Sequence, residues 1–269
     1  MTGGIGRLLM TLAATLGCIV VSRNANSDGS VQNFAPKSGS SYASAEIRAL
    51  QADDSSNPGM LWVANGETLW YEGAGGTSTR SCAQCHDAAS TSMKGVATRY
   101  PQIESRSAPA QLINLEGRIN LCRVRHQSVA ALAYESPEML ALSAYVSHQS
   151  RGIVRSMMID DGNRAYFKRG EGLYQQRLGQ MNLACTHCHN QNAGKTLLAE
   201  KISEGQSNGY PIYRLEWQGM GSLHRRFRSC LNGIRAEPFA PGSDEYLALE
   251  LYIAWRGNGL AIETPAVRR

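Results

Sequence analysis

Two short stretches constrain this chain more than any other feature: Ser81-Cys82-Ala83-Gln84-Cys85-His86 and Ala184-Cys185-Thr186-His187-Cys188-His189. Both contain C-x-x-C-H. This spacing lets two thiols reach the two vinyl groups of one porphyrin as thioethers, while the next residue puts an imidazole on the iron. A chain with two such motifs must build two haem pockets. A zinc site built on C-x-x-C needs no trailing histidine, and a thioredoxin-type motif needs a strand–helix–strand context that the sequence lacks. The expectation is two covalently bound haem c, one on Cys82 and Cys85 and one on Cys185 and Cys188, with His86 and His189 as iron ligands. His187 is read as an exposed, variable position inside the second motif.

The surroundings of the motifs repeat. Gly66-Glu67-Thr68-Leu69-Trp70-Tyr71 precedes the first and Gly170-Glu171-Gly172-Leu173-Tyr174 the second. Tyr100-Pro101 follows the first and Tyr210-Pro211 the second. Leu115 to Arg123 then aligns with Leu223 to Leu231, pairing Arg118 with Arg226 and Cys122 with Cys230. Leu140 to Val146 matches Leu247 to Ile253. The offset stays between 103 and 110 residues, as expected of a duplication in which each copy carries its own haem.

Helical periodicity dominates. Ala64 to Tyr71 and Arg164 to Arg177 read as helices entering the motifs. Ser136-Pro137-Glu138 and Ser243-Asp244-Glu245 read as caps opening a terminal helix in each copy. Helix, C-x-x-C-H, loop and terminal helix is the order of a small cytochrome c domain. The predicted fold is therefore mainly α, with two tandem cytochrome c-like domains at 61–155 and 156–269. An extension at 26–60 carries one short helix near Ala43 to Gln51 and packs against the first unit or is partly mobile.

Residues 1–25 read as an export signal: Arg7, a short apolar run from Leu8 to Val21, then polar residues, with cleavage near Ser22 to Asn26. The run is too short for a comfortable transmembrane span, and Thr15-Leu16-Gly17-Cys18 is a poor lipoprotein signal. The mature chain is expected in the periplasm without stable membrane insertion. At 269 residues, net charge +5 and mean hydropathy −0.31, it is a globular protein with a mild preference for anions. No basic run interleaved with aromatics points to nucleic acid.

The far side of each iron is less determined. After His189 the candidates are Met220, His224 and Cys230; in the first copy they are Cys122, His126, Met139, His148 and Met157-Met158. No methionine follows Met220, so the late methionine of an ordinary c domain is missing. Only cysteine recurs at matching positions, at 122 and 230. A disulfide between these two, or two buried thiols, remains an alternative. An arginine four residues before each cysteine, Arg118 and Arg226, lies on the same helical face as the sulfur. Positive charge there favours thiolate, the form that binds iron or attacks sulfur.

At these residues the chain resembles the SoxA family, the dihaem subunit of SoxAX cytochromes in the sulfur-oxidising system. The resemblance runs through Leu50 to Trp70, both haem motifs, Tyr210 to Gln218, Ser222 to Phe239 and the C-terminal Glu263 to Arg269. It implies an L-cysteine S-thiosulfotransferase that joins thiosulfate oxidatively to a cysteine of the SoxYZ carrier and passes two electrons to an external cytochrome c. A SoxX-like monohaem subunit is implied as partner. By matching position, Cys230 would be both the far-side ligand of the second haem and the covalent, persulfide-bearing site. Arg226 would bind the sulfonate of thiosulfate, and His86 with Cys122 would hold a first haem without clear catalytic duty. Arg256, just past the terminal helix, is a further candidate for substrate; Arg225 and Arg228 read as surface or docking charges. The competing readings are a dihaem electron-transfer protein without catalysis of its own, a dihaem peroxidase, and an interaction subunit whose partner does the chemistry.

Overall fold

In the computed structural model, residues 1–3, 35–73 and 80–269 are described. The apolar run of the export signal and its cleavage site lie outside them. The helices are α1 (Ala45–Ala52), α2 (Met60–Tyr71), α3 (Ala83–His86), α4 (Ala89–Ser92), α5 (Leu115–Cys122), α6 (Pro137–His148), α7 (Arg164–Gln175), α8 (Cys185–His189), α9 (Leu223–Gly233) and α10 (Asp244–Arg256). Between them run short strands: β1 (Gln102–Glu104), β2 (Gln111–Ile113), β3 (Thr196–Leu197), β4 (Glu200–Lys201), β5 (Ile212–Arg214), β6 (Gly219–Gly221) and β7 (Ala266–Arg268). The fold is mainly helical.

Two crossed helix pairs form the frame, α2 on α6 and α7 on α10. Each has the same device at the crossing. Gly66 of α2 lies against the Ala141 carbonyl and Tyr145, and Gly170 of α7 against the Ala248 carbonyl and Tyr252. A β-carbon at either position would occupy the space of the facing backbone. The predicted caps also form: Ser136 accepts from the Met139 N–H at 3.2 Å and Ser243 from the Tyr246 N–H at 3.4 Å. Asp244 and Glu245 fill the first turn of α10, where carboxylates favour the helix dipole.

Each pair organises one apolar cluster. The first gathers Val63, Trp70, Leu140, Ala144 and Tyr145; the second gathers Phe167, Tyr174, Phe227, Tyr246, Leu251 and Tyr252. The clusters interlock, because Met220 of β6 packs in the first and Leu112 of β2 in the second.

The strands were not visible in the sequence. β1 pairs antiparallel with β2, β3 with β4, and β5 with β6; β5 also pairs in parallel with β7, so that Ile212, Tyr213 and Arg214 face Ala266, Val267 and Arg268. The C-terminal residues thus complete a sheet of the second half.

The extension differs from expectation. Its helix forms, but it packs against β7 rather than on the first unit alone. Ser38 Oγ donates to Glu263 at 2.5 Å, Asn57 Nδ2 donates to the Pro265 carbonyl at 2.9 Å, and Val267 N–H donates to Gln51 at 3.1 Å. Buried polar partners of this kind hold a segment whose composition alone reads as loose. Among the described residues no helix is long and apolar enough to cross a membrane.

Candidate active site

The second motif occupies α8, entered from α7. The ring of His189 is fixed from behind: its Nδ1 donates to the Ser203 carbonyl at 2.7 Å, since a carbonyl can only accept. That choice leaves Nε2 free to act as a ligand. Gly205, at φ +72°, lets the backbone run against the imidazole, where an added β-carbon would sit 2.9 Å from Cγ. Between these two residues is Glu204, buried at 4% exposure; it accepts from the Lys37 N–H at 2.8 Å and the Tyr42 hydroxyl at 2.9 Å. The extension therefore grips the loop that orients His189. His187 is half-buried rather than exposed, and its Nδ1 accepts from the Ala184 N–H at 2.9 Å, which closes the first turn of α8.

Cys230 comes from the middle of α9 and faces this histidine. Ser222 opens α9 by accepting from the Arg225 N–H at 3.2 Å. Burial pushes the Cys230 thiol up, but the His189 hydrogen bond and the charges of Arg226, His189 and Arg214 outweigh it and bring the thiol down to about 7. Arg226 lies one turn earlier on the same helix, 34% exposed at its side chain, and its guanidinium makes no hydrogen bond among the described residues. Its nearest carboxylate is Glu216, at 3.9 Å.

Arg256 returns toward the motif but on another side. Its NH2 donates to Asn190 Oδ1 at 3.0 Å, and its guanidinium lies 4.4 Å from the Tyr174 ring centroid. Arg225 is not a free surface charge: it stacks 4.4 Å over Trp217 and donates to the Met220 carbonyl at 3.5 Å. Arg228 is exposed.

The first motif is more open. Cys85 and His86 are exposed, and the Trp70 ring centroid lies 5.8 Å from that of His86. Cys122, at the end of α5, lies near Cys82 and Cys85. Burial raises its thiol, opposed by Arg118 and Arg125 and reinforced by Cys85 and Glu104. Arg118 is engaged through two of its nitrogens: it ion-pairs with the buried Glu104 and donates from Nε to the Tyr100 hydroxyl at 3.2 Å.

Five of the other seven candidate ligands are used elsewhere, while His126 and Met158 are exposed. Met220 is 1% exposed in the first apolar cluster. His224, equally buried, lies 3.0 Å from Glu250 and stacks on Tyr134. Met139 is inside α6, Met157 belongs to the second cluster, and His148 lies 3.3 Å from the Thr264 carbonyl. The six cysteines of the described residues are free thiols, and Cys122 and Cys230 stand at different motifs rather than bridged.

With this geometry in hand, comparison with known proteins is specific. The SoxA/TsdA cytochrome c domain family matches residues 65–154. The L-cysteine S-thiosulfotransferase subunit SoxA of Pseudaminobacter salicylatoxidans is 43% identical over 235 residues, covering 86% of this chain and 80% of that protein. Its counterpart in Rhodovulum sulfidophilum is 37% identical over 232 residues with the same coverage. The crystal structure of SoxXA from P. pantotrophus superposes with a TM-score of 0.82 at 36% identity, over 87% of each chain.

The chain belongs to the SoxA family.

Haem c is the group that SoxA membership implies, and the residues fit it. At the second motif His189 turns Nε2 toward Cys230, and Cys185, Cys188 and Cys230 are reduced thiols. The buried Arg256 NH1 has no partner among the described residues, as expected of a donor awaiting an acid group of the porphyrin. Sequence reasoning missed Ser203, Glu204 and Gly205, which carry no motif. It also missed Arg214, whose signal was present: counting from the repeated Tyr-Pro pairs aligns Arg214 with Glu104.

Proposed function

We propose that the chain is the catalytic subunit of a haem-dependent L-cysteine S-thiosulfotransferase, built as two tandem cytochrome c-like units with one covalently attached haem c each. The observation that carries this reading is Cys230 held opposite His189 with Arg226 one turn away on α9. The two named relatives support the activity. Cys82, Cys85, Cys185 and Cys188 would hold the haems, with His86 and Cys122 on the first iron and His189 and Cys230 on the second. In the reaction a carrier cysteine thiol of SoxYZ loses its proton, a sulfur–sulfur bond forms between it and the terminal sulfur of thiosulfate, and two electrons leave for an external cytochrome c.

Haem c at the second motif supplies an acceptor that takes those electrons one at a time. The side chains do the rest. Arg226 binds the sulfonate oxygens with a planar donor set and offsets repulsion between thiosulfate and a thiolate. Cys230 carries the covalent sulfur, which divides one difficult oxidation into easier steps. Ser203 and Gly205 hold the His189 ring, and Arg256 faces the attachment side of the motif rather than Cys230. A SoxX-like subunit receives electrons from this chain, and the export signal read at residues 1–25 supports a periplasmic location for the chain.

The deciding experiment replaces Cys230 by Ser in the holoprotein and follows cytochrome c reduction that depends on both thiosulfate and SoxYZ. Loss of turnover with both haems retained is expected; full turnover would sink the enzymatic reading of Cys230.

A further inference from the structure

The two halves carry the same cysteine and arginine on the same helix face, yet the reading above gives the chemistry to one. The difference lies in a strand. Tyr100-Pro101 leads into β1 and Tyr210-Pro211 into β5, and the third residue of each strand is Glu104 in one and Arg214 in the other. Both are nearly sealed, at 2% and 5% exposure. The charge at this position is therefore reversed between the halves, in places where solvent screens it weakly.

The consequence for the neighbouring arginine is direct. In the first half Glu104 ion-pairs with Nη2 of Arg118 and sits 4.0 Å from Nη1 of Arg125, and the Tyr100 hydroxyl accepts from Nε of Arg118. The charge of Arg118 is thereby matched at close range by a buried carboxylate. In the second half the carboxylate nearest Arg226 is Glu216. Its Oε1 is held by Arg214 Nε at 2.7 Å, while Arg226 NH1 stands off at 3.9 Å. Arg214 is itself anchored, by Glu200 at 3.2 Å and by the Trp217 ring at 5.3 Å. Glu200 and Glu216 are 39% and 48% exposed, so water attenuates their charges far more than that of Glu104.

We propose that the residue at this strand position decides which cysteine receives a sulfur oxyanion: Glu104 occupies Arg118 and closes the first site, whereas Arg214 holds Glu216 off Arg226 and leaves that guanidinium open to the anion. Arg214 is a positioning residue: besides its own charge near Cys230, it acts on the substrate through Glu216 and Arg226. The inference rests on the assignment of Cys230 and Arg226 above.

The test uses full-length holoprotein, with thiosulfate as the probe in two readouts: KM and kcat in the coupled assay, and equilibrium binding to the oxidised protein by calorimetry. Arg214→Gln lets Glu216 fall onto Arg226; KM and Kd for thiosulfate rise roughly tenfold, the scale of one charged hydrogen bond, while kcat changes less. The double variant R214Q/E216Q returns both to near the parent values, a rescue that a purely structural role for Arg214 would not give. Glu104→Gln frees Arg118, and a second, weaker binding event appears. An unchanged KM and Kd in R214Q, a double variant as poor as R214Q, or a single binding event in E104Q overturns the proposal. Arg226→Ala and Cys230→Ser, run in parallel, separate the two levels. If R226A binds thiosulfate normally and C230S turns over, the functional reading itself fails; if both are impaired while R214Q is normal, only the present inference fails.

Discussion

Gly170 lies directly against the backbone carbonyl of Ala248, with no room between α7 and α10 for even one carbon more. Replacing Gly by Ala inside a helix ordinarily favours the helix by about 1 kcal/mol. Here the facing atom is backbone and cannot swing away, so overpacking wins. Gly170→Ala is expected to destabilise by about 1–3 kcal/mol, measured as a lower urea midpoint. Gly172, two residues on, has open space at its β position. Gly172→Ala should leave the midpoint unchanged or raise it.

Glu116 gives the fold a signed pH dependence. Burial, and then the nearby Glu250, push its carboxyl up from 4.5 to about 7, against His224 and with Glu135 adding to the rise. Below 4.5 it is protonated whether the chain is folded or not, and no penalty arises. Between 4.5 and 7 the folded chain holds a proton that the unfolded chain releases, so stability falls as pH rises through this window. Glu116→Gln should gain over the parent progressively from pH 5 to pH 8 in parallel unfolding titrations. A constant difference across that range would refute the account.

Gly205→Ala tests how the His189 ring is held. The new methyl would press on the imidazole at a positive φ that disfavours alanine. A disturbed ligand support of this kind costs roughly 10–100-fold in metal affinity or activity. In the proposed dihaem form, the spectrum of the haem at the second motif should change, while that of the haem at the first stays as in the parent.

Tyr42→Phe removes one of the two hydrogen bonds on the buried Glu204 carboxylate. The expected result is a loss of about 1–3 kcal/mol, the cost of a buried acceptor left short of a donor. Hydrogen exchange should rise together at residues 35–52 and around 203–205, because the two segments share that bond. Faster exchange in the extension alone would argue against the link.

Much of this architecture could be read from the residues, for identifiable reasons. The motifs, the caps at Ser136 and Ser243 and the terminal helices are local, so spacing reveals them. α2 began at Met60 rather than Ala64, since its first turn adds Met60, Leu61 and Trp62 after Gly59 without a capping side chain. The strands escaped because two or three residues are too few to show alternation. Cys230 could be singled out by its match to Cys122, and the fold sets it facing His189. The loop behind His189 was not, because Ser203 contributes only a backbone carbonyl and Glu204 bonds across 162 residues to Tyr42. The destination of the extension escaped for the same reason: its partners are C-terminal, and composition says nothing of partners.

The seam between α1 and β7 sets an order of events during synthesis. Residues 38–57 have their seat on residues 263–267, more than 200 positions further along the chain. Both C-x-x-C-H segments precede β7, so the seam closes over a chain in which both motifs are already present. Seating of the extension on Glu204 and Glu263 then acts as a late latch, and it can engage only after β7 has been made.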